Sequence, residues 1–495
     1  MGITERSIFI ILVISTAAFY TLQAEGDNVD GKNKANETKN AVKAQAPSLA
    51  PAPDGPAPSP QDSANTPNPY PSDESEYAMM SELFSPEEVP GENEADSAVE
   101  AAAPGQEESS EENEPDPADP PPSIQTQNST RRVLARNHRG PCIAYNPIDR
   151  CWRCDPNWAR DRKRLAGCAL GFGRRTTGGR DGPIYKVTDP SDDNVMEPRP
   201  GTLRHAVIQT TPLWIIFTKS MTITLKQELL MQCDKTIDGR GKNIKISGGA
   251  GISIQFVRNI IIHNIHITDI IVTPGGTIRD SVDHIGIRAQ PDGDAISIFG
   301  SSDIWIDHVS ASNAKDGLID VVAASTGITI SNCHFVRHDK VMLFGAEDNN
   351  ERDKNMQVTV AYTHFGKHLI QRMPRVRWGF FHLVNNDYTH WLMYAIGGSC
   401  GASIISQGNR FIAPPDPVAK EVTHRTNGLE PGWETWNWRS EGDLMMNGAF
   451  FVESGSPNWR MGIDPLDLII PAPAAEVTTL TLFTGPLGCR KKRPC

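Results

Sequence analysis

Five short segments in the second half of the chain decide the fold. They are IWIDH (304–308), ITISN (328–332), VTVAY (358–362), FHLVN (381–385) and SIISQ (403–407). Each sets apolar residues beside polar ones, as a half-buried strand does, and their central apolar residues recur at intervals of 24, 30, 23 and 22 residues. These central residues are Ile306, Ile330, Val360, Leu383 and Ile405, and earlier runs around Ile215, Ile237 and Ile260 continue the period at 22 and 23 residues.

Strands at this interval, without helical stretches between them, predict an all-β solenoid. In such a parallel β-helix each coil buries its apolar face against its neighbours. A sandwich or barrel also has short alternating strands, but with more hairpin signals and less even spacing. Asn332, Asn385 and Gln407 fall at one offset, which predicts an amide ladder along the stack. The longest interval holds the polar insertion GAEDNNERDKN (345–355), expected to be a loop on the binding face.

The N-terminal part of the chain has a different character. Arg6 precedes an apolar run over residues 8–20 that is shorter than the ~20 residues of a membrane span. It predicts a signal peptide over residues 1–24, with an anchored first helix as the alternative. Residues 25–130 are rich in Ala, Pro, Ser and Glu, and we expect a disordered acidic extension ahead of a domain at 131–495.

Sequence features also indicate an oxidising, extracellular compartment. The chain has nine cysteines, and Asn36 and Asn128 each begin a glycosylation sequon. Cysteines in such a compartment are expected to form disulfides. A zinc site built on Cys151 and Cys154, the cysteines closest in sequence, is the alternative interpretation.

Charge divides the chain at the same place. The whole chain has a net charge of −12, but residues 25–130 hold 23 acidic and 4 basic residues, which leaves residues 131–495 at +7. A basic secreted domain favours an acidic polysaccharide over nucleic acid as its partner, although ordinary solubility charge explains +7 equally well. The acidic extension is either a solvated spacer or a competitor of a polyanionic substrate.

Two pairs of aspartates lie one coil apart. Asp292 and Asp294 precede one strand, and Asp316 and Asp320 follow, with 24 residues between Asp292 and Asp316. Neighbouring coils would bring four carboxylates together, which is unfavourable without a hard cation, and Ca²⁺ is the natural extracellular candidate. Turn formation by Asp-Gly is the alternative explanation.

Longer motifs carry a resemblance to a known family. They include NPIDRCWRCDPNWARDRKRLAGCALGFG, DGDAISIFGSSDIWIDH, KDGLID, QRMPRVR and VNNDYTHWLMYAIGGS, collinear over residues 131–450. Together they resemble plant pectate lyases of the first polysaccharide lyase family, which also includes pollen allergens. The resemblance implies a right-handed parallel β-helix, a calcium cofactor and eliminative cleavage of de-esterified pectin.

The resemblance also implies roles for single residues. The family's calcium positions match the four aspartates named above, its substrate-binding lysine matches Lys340, and its catalytic base and carboxylate-binding arginine match Arg372 and Arg377. Arg375 has no matching role and is interpreted as a salt-bridge or solvent residue. A family disulfide matches Cys151 and Cys168, which leaves Cys142 and Cys154 as a second pair.

The expected chemistry is removal of the C5 hydrogen of a uronate by Arg372. Guanidinium normally stays protonated, but bound Ca²⁺ and the cations Arg377 and Lys340 disfavour a further positive charge at this position. Ala346 and Glu347 depart from the family pattern, and the extra charge of Glu347 is expected either to weaken polyuronate binding or to alter substrate preference.

We therefore expect a secreted, monomeric cell-wall enzyme whose partner is polygalacturonate, without nucleic acid and without membrane attachment after signal cleavage. The alternative is an allergen-like protein that keeps the groove but has little or no activity. A pectin lyase would not need four metal-binding carboxylates, and no collinear match to the paired acid motif of polygalacturonases is present.

Overall fold

A computed structural model describes residues 142–426, 432–456 and 463–495 of the chain. The predicted signal peptide (1–24), the acidic extension (25–130), the sequons at Asn36 and Asn128 and the predicted start of the domain at residue 131 lie outside the described residues. Within the described part, no helix is both long and apolar enough to cross a membrane.

Three long sheets make up most of the described structure, and every strand pairing inside them is parallel. The ten-strand sheet contains Ile184–Val187, Leu213–Phe217, Lys235–Asp238, Arg258–His263, Ser302–Asp307, Thr326–Ser331, Gln357–Ala361, Phe380–Val384, Ser403–Gln407 and Trp438–Glu441. The nine-strand sheet contains Met221–Ile223, Ile244–Ser247, His266–Thr268, Ser310–Ser312, His334–Phe335, His364–Phe365, Asp387–Tyr388, Arg410–Ile412 and Leu444–Met446. The eight-strand sheet contains Leu229–Leu230, Ile252–Gln255, Ile296–Phe299, Ile319–Val322, Met342–Phe344, Arg375–Arg377, Ile396–Ser399 and Thr423–Arg425.

Smaller elements connect and cap these sheets. Two further strand pairs are Gly276–Arg279 with Ile285–Arg288, antiparallel, and His338–Lys340 with Leu369–Gln371, parallel. The described α-helices are Pro147–Trp152, Leu203–Val207 and Val477–Leu480. The described 3-10 helices are Arg162–Gly167, Gly171–Gly173, Glu351–Asn355, Pro417–Ala419, Trp433–Thr435, Pro465–Asp467 and Ala474–Glu476.

The chain visits the three sheets in turn, one strand in each per coil. One coil runs through Ser302–Asp307, Ser310–Ser312 and Ile319–Val322, and the next begins at Thr326. Aliphatic side chains from all three sheets fill the interior, where the apolar faces of the strands meet. The backbone hydrogen bonds of the strands run between neighbouring coils. This confirms the predicted parallel β-helix.

The predicted strand period is correct at six of its eight positions in the ten-strand sheet, and Ile215 and Ile237 share the register position of Ile262. Ile306, Ile330, Val360 and Leu383 occupy one register position. The residue paired with Leu383 is Ser406, so the assignment of Ile405 to this position is wrong by one residue. The residue paired with Ile306 on the other side is Ile262, so the assignment of Ile260 is wrong by two.

The predicted amide ladder is also wrong in its members. Asn332 and Asn385 occupy the corner after a strand of the ten-strand sheet, with left-handed φ angles of 52° and 51°. Asparagine tolerates this region better than most residues, which explains its presence at the corner. Gln407 lies one residue earlier, in register with Val384.

A ladder does form one residue later than predicted. The Nδ2 of Asn386 donates to Oδ1 of Asn409 at 3.0 Å, and the backbone N of Asn386 donates to the same oxygen at 2.7 Å. Oδ1 of Asn386 in turn accepts from the backbone N of Thr363 at 3.0 Å.

Terminal segments of the described domain cover the outer face of the ten-strand sheet. His308, at the end of IWIDH, is fully buried there and lies 2.8 Å from Oδ1 of Asp149 and 2.9 Å from the carbonyl oxygen of Gly485. His308 is thus a structural residue that joins both terminal segments to the coil.

Three disulfides secure these segments. Cysteine 142 pairs with Cys154, Cys151 with Cys168, and Cys489 with Cys495, a pair the sequence did not predict. Because Cys151 and Cys154 belong to two different disulfides, the zinc alternative is wrong. Thiols remain at Cys233, Cys333 and Cys400.

Candidate active site

The residues singled out by sequence gather along the eight-strand sheet. Parallel register places Asp320 beside Ser297 on one neighbouring strand and beside Leu343 on the other, and Leu343 beside Arg375. The functional candidates therefore lie on consecutive coils, although up to 85 residues separate them in sequence.

Three of the four aspartates form a tight group. Single carboxylate oxygens of Asp294, Asp316 and Asp320 all lie within 4.8 Å of one another. Asp292 is exposed and is not a member of that group, but its charge is close enough to raise the pKa of Asp294. The structure thus brings together three of the predicted metal ligands and leaves the fourth at the edge.

Backbone donors orient the two inner carboxylates. The Oδ1 atom of Asp294 accepts from the backbone N of Gly317 at 2.8 Å, and Oδ1 of Asp320 accepts from the backbone N of Leu343 at 3.2 Å. Asp320 is only 9% exposed, so it is part of the sheet and not a surface residue.

Burial and mutual repulsion strongly perturb this group. Burial, followed by the charges of Asp316, Asp292 and Glu228, raises the pKa of Asp294 to about 7 despite its hydrogen bond from Gly317. The pKa of Asp320 is raised well above its ordinary value by burial and by Asp294 and Asp316. Clustered carboxylates with raised pKa values are costly as bare anions and are typical of functional sites.

This donor set fits a hard divalent cation. Carboxylate oxygens are the ligands that Ca²⁺ prefers, and a bound cation would reverse the repulsion that raises the pKa of these groups. Asp294, Asp316 and Asp320 would hold the ion directly, and Asp292 lies near enough to add charge.

Lys340 lies against the acidic group. Its Nζ contacts Oδ1 of Asp316 at 2.8 Å, with both side chains one-third exposed. A cation at this position partly balances the negative charge of the carboxylates.

Arg372 also lies near the acidic group. Its positive charge lowers the pKa of Asp320 against the larger effect of burial. The Nε atom of Arg372 is buried and makes no hydrogen bond within the part of the chain that the structure describes. The backbone of Arg372 has a left-handed φ of 62°. The carbonyl oxygen of Arg372 accepts a hydrogen bond from the backbone N of Met342 at 2.7 Å.

Arg377 is held by the inserted loop. Its Nε donates to Oδ1 of Asp348 at 2.6 Å, and its Nη1 donates to the carbonyl oxygen of Gly345 at 2.8 Å. Arg375, between the two candidate arginines, is 9% exposed, which excludes the solvent interpretation.

Comparison with known proteins identifies the family. A pectate lyase family model matches residues 170–433. A probable pectate lyase, P59, from Solanum lycopersicum is 61% identical over 370 residues, which cover 74% of this chain and 82% of that protein. A pectate lyase from Nicotiana tabacum is 60% identical over 371 residues, 74% of this chain and 94% of that protein. The chain belongs to the pectate lyase family.

A solved structure supports the same conclusion. The crystal structure of jun a 1, the major allergen from cedar pollen, is similar with a TM-score of 0.68 at 43% identity, over 69% of this chain and all of that one. The family assignment makes the chain an enzyme that cleaves pectate by elimination, on a fold it shares with a pollen allergen.

Two acidic residues at the site were not predicted from the sequence. Glu228 precedes the first strand of the eight-strand sheet, and its charge contributes to the raised pKa of Asp294. Asp348 lies in the inserted loop, in which the sequence analysis considered the charge of Glu347 but not that of Asp348. The polar insertion was the available signal, but its length and composition do not show which carboxylate reaches Arg377.

Proposed function

We propose that the chain is a calcium-dependent pectate lyase that acts outside the cell, at the cell wall, on de-esterified pectin. The observation that carries the proposal is the group formed by Asp294, Asp316 and Asp320, with Lys340 and Arg372 beside it on neighbouring coils. The carboxylates would hold a metal ion, and this ion and the adjacent cations would attract a substrate that is itself a polyanion.

Ca²⁺ held by these carboxylates would neutralise their charge and that of the substrate's C6 carboxylate, and so favour enolate character at C5. Lys340 and Arg377 bind uronate oxygens. An ammonium acts as a point charge, whereas a guanidinium can also fix the direction of a carboxylate.

Arg372 is the proton acceptor in this scheme. Its guanidine nitrogen takes the C5 hydrogen as a proton, and the C5 electron pair forms the C4–C5 double bond. The bond from C4 to the glycosidic oxygen breaks, and this oxygen leaves with the bonding electron pair and takes a proton from solvent. The product has a 4,5-unsaturated uronate at its new non-reducing end.

Ultraviolet absorbance of this unsaturated product provides the test. Purified protein on polygalacturonate should increase the absorbance, lose activity in excess chelator, and recover it with Ca²⁺ but not with Mg²⁺, which demands a stricter octahedral geometry. Full activity in excess chelator would contradict the metal assignment. New reducing ends without absorbance would indicate hydrolysis, and substrate binding without turnover would favour the allergen-like alternative.

A further inference from the structure

The inserted loop, residues 345–355, is anchored at both ends beside the candidate substrate-binding arginine. It starts at Gly345, whose carbonyl oxygen accepts from Nη1 of Arg377, and it returns through the 3-10 helix Glu351–Asn355. Asp353 in that helix is fully buried, and its Oδ1 accepts from the backbone N of Ala324 at 2.6 Å. These contacts fix the loop beside the C-terminal ends of three adjacent strands of the eight-strand sheet, Ile319–Val322, Met342–Phe344 and Arg375–Arg377.

Asp348 connects this loop to two adjacent coils. Its Oδ1 accepts from Nε of Arg377 at 2.6 Å and from the hydroxyl of Ser399 at 3.0 Å. Its carbonyl oxygen accepts from the indole Nε1 of Trp378 at 3.0 Å. Arg377 and Ser399 are register partners on neighbouring strands, so one carboxylate bridges both.

Asp348 remains ionised at neutral pH. Partial burial acts to raise its pKa, but hydrogen bonds from Arg377, Cys400 and Ser399 outweigh burial, and the pKa lies below its ordinary value. The contact with Arg377 is thus a short charge-assisted hydrogen bond, the stronger class of such bonds.

These contacts use only part of the guanidinium. Nε and one hydrogen of Nη1 are engaged, while Nη2 makes no hydrogen bond to any described residue. The Arg377 side chain is 12% exposed, against 46% for that of Asp348. A flexible arginine normally loses rotamer freedom when it binds a ligand, and a preformed contact removes part of that cost.

We propose that Asp348 is a positioning residue, which fixes the guanidinium of Arg377 through Nε and leaves Nη2 for a carboxylate of the polyuronate substrate. The inference rests on the proposed role of Arg377 as the uronate-binding arginine. The opposite role, in which Asp348 mimics the substrate carboxylate and competes with it, predicts the opposite change in KM.

Kinetics of Asp348 variants on polygalacturonate at saturating Ca²⁺ distinguish the two roles. Asp348→Ala should raise KM roughly tenfold, with kcat within about twofold, because a hydrogen bond to a charged group is lost. Asp348→Asn keeps an oxygen acceptor for Nε and should stay within about threefold of the parent KM. Asp348→Glu keeps the charge but displaces it by one methylene, and it should also raise KM. Glu351→Ala, which removes an exposed carboxylate from the same loop, is the matched control and should change nothing.

A double-mutant cycle with Arg377→Ala completes the test. If Asp348 acts through Arg377, Asp348→Ala should have no further effect on KM in the Arg377→Ala background. A lower KM in Asp348→Ala would overturn the proposal in favour of competition, and an unchanged KM would overturn it outright. Equal losses in kcat and thermal stability would show a merely structural role. An unchanged KM in Arg377→Ala itself would instead refute the proposed function of that arginine.

Discussion

Replacement of Arg372 by lysine keeps the positive charge but removes the guanidine group. The backbone of Arg372 has a left-handed φ of 62° and a carbonyl oxygen bound by Met342, so it cannot shift freely to reposition a shorter donor. A positioned general base contributes roughly 10²–10⁴ in rate. We therefore expect kcat to fall by about 10²–10⁴, which corresponds to roughly 3–5 kcal/mol of transition-state stabilisation.

Substrate binding should survive this change, since Lys340 and Arg377 are intact, and the loss should appear in kcat far more than in KM. Initial rates of absorbance increase on polygalacturonate, measured at saturating Ca²⁺ over a range of substrate concentrations, separate the two constants. Arg352→Lys makes the same chemical change at an exposed position in the inserted loop and serves as the control. Near-normal turnover in Arg372→Lys would show that this arginine only binds substrate and that another group removes the C5 proton.

Three further predictions concern the metal, the substrate and stability. Asp320→Asn should raise the Ca²⁺ concentration needed for half-maximal activity at least tenfold, and unchanged circular dichroism would separate this from unfolding. Arg377→Lys should raise KM for polygalacturonate with little change in kcat, because a directional guanidinium becomes a point charge, and a loss confined to kcat would disprove it. Burial acts to lower the pKa of His308, but the charges of Asp307 and Asp149, together with the acceptors at both ring nitrogens, the carboxylate of Asp149 and the carbonyl of Gly485, raise it above its ordinary value. The stabilisation that His308 provides is complete below the unfolded pKa of about 6.5 and is lost as pH rises through the folded pKa. Denaturant titrations of His308→Gln should therefore show a free energy of unfolding about 1–3 kcal/mol lower near pH 6. The free energy of unfolding of this variant should also decline less toward alkaline pH than that of the parent protein.

The fold could be predicted because the coil period appears directly in the sequence, but the register could not be predicted everywhere. In the strand Arg258–His263 three isoleucines follow one another, and all are fully buried. Ile260 and Ile262 face the interior, whereas Ile261 lies under the N-terminal segment. Since both faces of this strand are covered, apolar alternation cannot identify the inward position.

Residues of the site were predictable where they follow the coil period, and not where they depend on loops. Asp294, Asp316 and Asp320 converge because successive coils superimpose, which sequence spacing indicates. The contact from Asp348 to Arg377 crosses 29 residues and depends on the path of an irregular insertion. No local propensity encodes that path, so only the structure reveals it.

The ion pairs of the site reduce the positive charge that is available to an anionic substrate. Both cations that we propose to bind the substrate already contact acidic residues of the chain, Lys340 with Asp316 and Arg377 with Asp348. An incoming uronate therefore shares or exchanges partners and gains less Coulomb energy than two isolated cations would provide. The net charge of residues 131–495 is consequently a poor guide to affinity. Binding at this face depends instead on how the carboxylate group is neutralised and on which guanidinium and ammonium donors remain directed toward the polysaccharide.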